Sequence, residues 1–426
     1  DTMVRVYAPV GNHKDLLPYL VRRLLENGAN SSFVNRFMDA KVPPGELLQD
    51  PVELTLAQPL RRHPKIPVPR DIYREERHPW KNAGGIDLHD ALDVAPLLAK
   101  MQQATASPLR AAPIVGGEWR TGKPEKVLSP ANREVMVGEV VEADAAAIEE
   151  ALSRAAAAQP AWNRAGAEAR AACLERAADL MEANCEALMG VITAEAGRTI
   201  DDALSEVREA VDFCRYYAQQ ARAHFALRAL PGPTGEVTEL SLHARGTFLC
   251  ISPWNFPLAI FTGQVAAALA AGNTVIAKPA EQTPLIGARA VSLLHEAGVP
   301  GDVLHLLPGD GARVGAALVD DSRISGVAFT GSTETAKLIN RRLAERDGPI
   351  VPLIAETGGL NAMIVDATAL PEQVVDDAIT SAFRSAGQRC SALRVMFLQE
   401  DIADGVIAML QGAMEKLAIG DPAALS

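Results

Sequence analysis

The sequence predicts an α/β protein built on an open parallel sheet, and three observations predict it. From Thr247 onward, short β-branched and apolar runs (TFLCIS, TVIAK, DVLHLL, GVAFT, PLIAE and NAMIV) alternate with helical stretches. Unbroken apolar runs of that length suit strands covered on both faces, and strand–helix alternation is the order of a parallel sheet. Ahead of them, from Ala143, the pattern is helical through AAAIEEALSRAAAAQ, RAACLERAADLMEANCEALMGVI and TIDDALSEVREAVDFCRYYAQQARAHFA. The first forty residues stand apart: RVYAPVG reads as a strand ending in Pro-Val-Gly, and KDLLPYLVRRLLENGANSSFVNRF as a helix stopped by Asn27-Gly28.

Between these regions, Lys41 to Pro113 is rich in proline and charge (DPVEL, RRHPKIPVPRDIY, ERHPWKNAGG). X-Pro steps favour extended backbone, so this stretch reads as a linker or arm with little periodicity. The expected division is therefore 1–40, 41–113, 114–355 and 356–426. No internal repeat or low-complexity segment interrupts it.

At 426 residues, 48% hydrophobic and 22% charged, the chain can bury two to three ordinary globular cores. A net charge of −12 argues against non-specific nucleic-acid binding. Five cysteines (Cys173, Cys185, Cys214, Cys250 and Cys390) lack metal-ligand spacing, so no metal is expected. Their odd number argues against a secreted disulfide framework and for a reducing cytoplasm. No signal peptide and no run of about 18 apolar residues appears, so no membrane span is expected.

The chemistry concentrates in five motifs. Cys390 sits in SAGQRCSALR on a polar, glycine-containing turn, 34 residues after Glu356 in IAETGGLN. A thiol on such a turn, downstream of a carboxylate ending a strand, fits a covalent nucleophile with a general base acting on the thiol or on the water that cleaves a thioester. Taken singly, each group would read as a packing cysteine or a solvated strand end. In CISPWNFPLAIF, Asn255 offers a side-chain amide just after a strand, able to meet an oxygen that becomes anionic when a thiolate attacks an aldehyde; the backbone N–H of Cys390 would complete that hole. Alone, Asn255 could simply close a Trp-Asn turn.

In TVIAKPAEQTP, Lys278 and Glu281 follow a strand and precede a Pro-capped helix, where ribose hydroxyls can meet a cation and a carboxylate. A carboxylate there repels a 2′-phosphate, which favours NAD over NADP. In GVAFTGSTETA a strand ends at Thr330, Gly331 and Ser332 and a helix begins, a place for pyrophosphate or for ordinary capping. No GxGxxG follows a strand anywhere.

The order and spacing of these five motifs resembles the aldehyde dehydrogenase superfamily over roughly Ala112 to Ser426. The resemblance implies an aldehyde dehydrogenase-like open sheet with a Rossmann-like NAD-binding domain over 114–355 and the start of a catalytic domain over 356–426. It implies Cys390, Glu356 and Asn255 as catalytic residues. Cofactor contacts would come from Ser252, Trp254, Lys278, Glu281, Gly331, Ser332 and Gly358. Phe256, Arg389 and Ser391 would face the aldehyde. ETGGLNAMIV and AGQRCSALR are similar in particular to dehydrogenases of L-glutamate γ-semialdehyde.

At the other end, Tyr19, Arg22, Arg23 and Glu26 fall at i, i+3, i+4 and i+7 on one helix face, opposite an apolar stripe of Leu17, Leu20, Val21 and Leu24. Paired guanidiniums beside an aromatic ring suit an amino-acid carboxylate, although a polar helix face can also be merely solvated. YAPVG followed by YLVRRLLENGANSSFVNR resembles the last strand and helix of the (β/α)8 barrel of proline dehydrogenase in the bacterial proline utilization A family. That resemblance implies proline contacts from Tyr7, Tyr19, Arg22 and Arg23, with Glu26 as the orienting ion-pair partner and FAD alongside. Together the two resemblances imply a bifunctional enzyme that oxidises proline and then L-glutamate γ-semialdehyde. They further imply a quinone as electron acceptor, a homo-oligomer, and a cytoplasmic location with peripheral attachment to the inner membrane face as an added expectation. The chain would then be a fragment lacking most of the barrel and the rest of the aldehyde site. The alternatives are a dehydrogenase of another aldehyde and a non-catalytic module of the same fold.

Overall fold

In a computed structural model that describes residues 10–28, 33–57, 66, 68–72 and 81–425, the chain divides into two units, Asp1–Val68 and Pro69–Ser426. In the first unit, α1 (His13–Gly28) starts where the Asn12 carboxamide oxygen accepts from Lys14 N at 2.9 Å, and it stops at the predicted Asn27-Gly28. Residues 33–56 carry three short helices, α2 (Phe33–Met38), α3 (Pro44–Leu47) and α4 (Pro51–Leu56). Leu17, Leu20, Val21 and Leu24 on α1 are exposed. The predicted strand RVYAPVG lies almost wholly outside the described residues, as do Tyr7 and the side chain of Glu26.

The second unit corrects the expectation of an aperiodic linker to Pro113. Helix α5 (Ala91–Ala104) is capped by Asp90, whose carboxylate accepts from Leu92 N at 2.9 Å, and it buries Leu97 and Met101. Residues 81–86 are also tied down: Asp212 accepts from Ala83 N at 2.8 Å and Glu182 from Gly84 N at 2.6 Å. Strands β1 (Leu109–Ala111), β2 (Ile114–Val115), β3 (Glu118–Trp119), β4 (Pro124–Leu128) and β5 (Met136–Val141) follow, and β1, β5 and β4 form a small sheet. Then come the predicted helices: α6 (Ala145–Arg164), α7 (Gly166–Ala183), α8 (Cys185–Ala196) and α9 (Ile200–His224). The stretch read as one helix through Cys185 breaks at Asn184, whose side-chain amide folds back to donate to Leu180 O at 2.8 Å.

After the hairpin β6 (Arg228–Leu230) and β7 (Thr238–Leu240), the αβ alternation runs as β8 (Thr247–Ile251), α10 (Ala259–Ala270), β9 (Thr274–Lys278), α11 (Pro284–Glu296), β10 (Leu304–Leu306), α12 (Ala316–Asp320), β11 (Ile324–Gly331), α13 (Thr333–Glu345) and β12 (Leu353–Thr357). These strands are five of the six read from the sequence. They form one sheet in the order β12-β11-β8-β9-β10-β2-β3; its first five strands are parallel. Residues alternate between its faces. Phe248, Cys250, Val275, Ala277, Leu304 and Leu306 join a core with α7 to α11. Leu249, Ile276, Val327 and Phe329 join the other with α6, α12 and α13. Burial on both faces is what removes any polar alternation from these strands. Gly326 sits where the Phe248 ring leaves no room for a Cβ, and the β11–β8 register shifts there.

Beyond β12, the sixth predicted strand is β13 (Asn361–Val365). It pairs in parallel with β14 (Leu393–Leu398), and α14 (Pro371–Phe383) and α15 (Glu400–Met414) pack on that pair around Val365, Val374, Val375 and Val406. Among the described residues, no helix is long and apolar enough to cross a membrane, and no cluster of three or more His, Cys, Asp or Glu is placed to hold a metal.

Candidate active site

Strand order decides where the motifs meet. The chain steps from β8 to β9 and β10 on one side, then returns to place β11 on the other side of β8. A crevice opens at such a reversal, outside the carboxyl ends of the strands. Those ends carry Ser252 after β8, Lys278 on β9, Thr330 and Gly331 on β11, and Glu356 on β12, with Glu356 paired in register with Thr330. Gln264 on α10, which the sequence reading did not single out, spans this crevice. Its Nε2 donates to Thr330 Oγ1 at 3.0 Å and to Ile251 O at 3.3 Å, and its Oε1 is buried with no donor.

Two loops converge beside it. In PWNFP, Asn255 Nδ2 donates to Gln388 O at 2.9 Å, so the candidate oxyanion donor is in contact with the loop bearing Cys390. Cys390 is exposed, unlike Cys173, Cys214 and Cys250, which are buried and whose thiols burial pushes up, for Cys214 and Cys250 to about 12. The Cys390 carbonyl accepts from Asn361 Nδ2 at 2.7 Å, which pins the loop to the start of β13. Just before it, Ser385 (φ 56°), Ala386 (φ 54°) and Gly387 (φ 68°) are all left-handed. Only glycine adopts that conformation freely, and a non-glycine residue held there costs on the order of 1–3 kcal/mol.

Three charged side chains, also unanticipated, hold the loops. Arg198, just ahead of the α9 cap, and Asp202 and Glu206 in its first two turns are spaced by four and are 5%, 1% and 0% exposed. Asp202 accepts from Ser385 Oγ at 2.8 Å, Arg384 Nε at 2.9 Å and Arg389 Nη2 at 3.1 Å. Burial pushes its carboxyl up, but the Ser385 hydroxyl and the neighbouring Arg198 and Arg384 prevail and hold it below its ordinary value. Arg198 Nη1 donates to Asn255 O at 2.6 Å, and its guanidinium lies 4.4 Å from the centre of the Phe256 ring. Arg389 approaches the same ring at 5.9 Å; both distances are within cation–π range. Glu206 accepts from Leu258 N at 2.7 Å and Ala259 N at 3.3 Å, fixing the first turn of α10, and burial pushes its carboxyl up to about 7. Thus Phe256 and Arg389 are brought together, with the Arg389 guanidinium engaged by Asp202 and Ser385. Ser391 is exposed beside Cys390.

The candidate dinucleotide residues occupy the same edge. Lys278 is 4% exposed, donates to Pro279 O at 3.1 Å, and is drawn below its ordinary pKa by burial despite Glu281, Asp310 and Glu142 nearby. Glu281 is exposed, Ser252 is buried, Trp254 is 39% exposed and Gly358 is exposed. Ser332 caps α13, its Oγ accepting from Thr335 N at 3.1 Å, so the capping reading of that motif is realised. Glu195 supplies the equivalent service to α11: its buried carboxylate accepts from Leu285 N and Ile286 N at 2.6 and 2.9 Å, and burial pushes it up to about 8. A buried acceptor without a donor at the crevice, with Lys278 at the end of the neighbouring strand β9 and Glu281 just beyond it, fits the amide and ribose of a nicotinamide dinucleotide. On α1, Arg23 Nε donates to Tyr19 Oη at 3.5 Å, with the guanidinium 5.8 Å from the ring centre.

Comparison with known proteins gives the family. The aldehyde dehydrogenase family model matches residues 119–425 and the proline dehydrogenase model matches residues 1–36. The chain belongs to the aldehyde dehydrogenase family. It is 52% identical to the bifunctional protein PutA of Klebsiella aerogenes over 99% of this chain and 32% of that protein. The fold is similar to a mutant of Bradyrhizobium japonicum proline utilization A (TM-score 0.76, 51% identity, 98% of this chain and 39% of that one). It is also similar to 1-pyrroline-5-carboxylate dehydrogenase from Thermus with bound NAD (TM-score 0.78, 33% identity, 81% and 68%). The chain spans about a third of the length of the PutA relatives it matches.

Proposed function

We propose that this chain carries the nucleophile and dinucleotide edge of an NAD-dependent L-glutamate γ-semialdehyde dehydrogenase, joined in one protein to an FAD-dependent proline dehydrogenase. The observation that carries the first half is the contact between the Asn255 amide and the exposed Cys390 loop at the strand-order reversal. The second half rests on the proline dehydrogenase match over residues 1–36 and on likeness to PutA along 99% of the chain.

In this reading the Cys390 thiolate attacks the aldehyde carbon and forms a C–S bond. The second hydrogen of the Asn255 amide and the Cys390 N–H receive the oxygen as it becomes anionic. Lys278, Glu281 and Gln264 would hold NAD, which would supply the acceptor for the hydride leaving the aldehyde C–H bond as the thioester forms. Glu356 then takes a proton from water as that water attacks the resulting thioester, and the Cys390 thiolate leaves with glutamate released. The carboxylate of Glu281 disfavours a 2′-phosphate, hence NAD. In the other half Arg22 and Arg23 grip the proline carboxylate, with Glu26 orienting them and Tyr7 and Tyr19 around the ring. Pyrroline-5-carboxylate is the product. A quinone acceptor, a homo-oligomer and a cytoplasmic location belong to the same reading.

The test of the sequence of steps is Glu356→Gln in the intact natural protein. Rapid mixing with aldehyde and NAD should give a burst of NADH close to one per site, followed by a stall with acyl enzyme accumulated. Steady-state turnover equal to the unmodified protein would remove Glu356 from the mechanism, and a slow burst would move its role to the thiol.

A further inference from the structure

Cys390 and Asn255 reach the candidate site on separate loops, 135 residues apart in sequence, so something must set the gap between them. The strained Ser385–Ala386 turn gives no such precision by itself, because two non-glycine residues in the left-handed region relax unless they are held. What holds them comes from the first turn of α9 and the residues just ahead of it. Asp202 binds the turn through Ser385 and Arg389, and Arg198, four residues earlier and just ahead of the α9 cap, binds the carbonyl of Asn255. The two side chains approach to 4.0 Å and are almost fully buried.

We propose that Asp202 is a positioning residue that fixes the Cys390 turn against the Asn255 loop, and so sets the distance between thiolate and oxyanion donor. It touches neither aldehyde nor dinucleotide; it acts through Ser385, Arg389 and its neighbour Arg198. This inference rests on the thioester reading above. A carboxylate is required because the partners are a hydroxyl and two guanidiniums that converge on its two oxygens. Misplacement of a reacting group by about 1 Å costs about 10²-fold in rate.

The experiment is a double-mutant cycle in the intact natural protein, read as kcat for NAD-linked oxidation of L-glutamate γ-semialdehyde. Asp202→Ala should lower kcat about 10- to 100-fold in the unmodified background and less than about threefold when Asn255 is already alanine, because the alignment it maintains then has no donor to serve. Asp202→Asn, which keeps the shape and one acceptor oxygen, should show a smaller loss with the same non-additivity, and it is the variant to use if alanine reduces soluble yield. Amide hydrogen exchange should quicken across 385–392 and stay unchanged in α10. Equal losses in the two Asn255 backgrounds, or no loss with either Asp202 variant, would overturn the proposal. Retained turnover in Cys390→Ala would instead overturn the thioester reading beneath it.

Discussion

Cys390→Ala is expected to abolish NAD-linked aldehyde oxidation in the intact natural protein and to leave proline-dependent flavin reduction unchanged. Alanine removes the atom that forms the covalent bond, and no second thiol stands in for it: Cys173, Cys214 and Cys250 are buried and Cys185 is half-buried, and burial pushes all four thiols up. Removing a covalent nucleophile alone can cost on the order of 10⁶ in turnover. The proline step should be spared because its candidate residues Tyr19, Arg22, Arg23 and Glu26 lie on α1, in the unit Asp1–Val68. Paired assays on one preparation, NADH formation with aldehyde and flavin bleaching with proline, check both halves. Loss of both activities in a folded variant would contradict the separation of the two sites.

Arg22→Met and Arg23→Met should each raise the KM for proline by about 30- to 5000-fold, the equivalent of the about 2–5 kcal/mol lost with a desolvated charged pair. Adjacent residues on a helix point about 100° apart, so each guanidinium reaches a different oxygen of one carboxylate only where the helix faces the ligand. Met keeps the length and apolar stem of the side chain, which separates charge from packing. The packing of Arg23 on the Tyr19 ring is the one part that Met imitates. Flavin content and the aldehyde step should not move. Proline kinetics within experimental scatter of the unmodified protein would mean that this face of α1 is solvated surface.

The centre of the sheet was legible in the sequence because β8, β9, β10 and β11 are largely buried on both faces. TVIAK became β9 and GVAFT lies within β11, with every residue of Thr274–Lys278 buried. Helix α5 was hidden by the proline and charge around it, although Asp90 at the cap and the Leu97, Met101 spacing were its traces. Of the candidate site, the residues on strand ends and turns were legible because their types announce chemistry: a cysteine on a glycine turn, an asparagine after a strand, a carboxylate before Gly-Gly. Arg198, Asp202 and Glu206 were not. Their spacing of four was visible, but on a helix that pattern reads as a solvated face until the partners are known, and Arg384, Ser385 and Arg389 are more than 180 residues away in sequence. Gln264 was invisible for the same reason, since its meaning lies in the gap between Ile251 and Thr330 that the strand order creates.

The most direct test of the covalent mechanism is peptide mass spectrometry of the intact natural protein, acid-quenched during turnover of L-glutamate γ-semialdehyde with NAD, using Glu356→Gln to accumulate the acyl enzyme. The account predicts a glutamyl thioester on the peptide containing Cys390, dependent on NAD and absent from peptides containing Cys173, Cys185, Cys214 and Cys250. An adduct on another residue, or full turnover with no adduct on the Cys390 peptide, would contradict it.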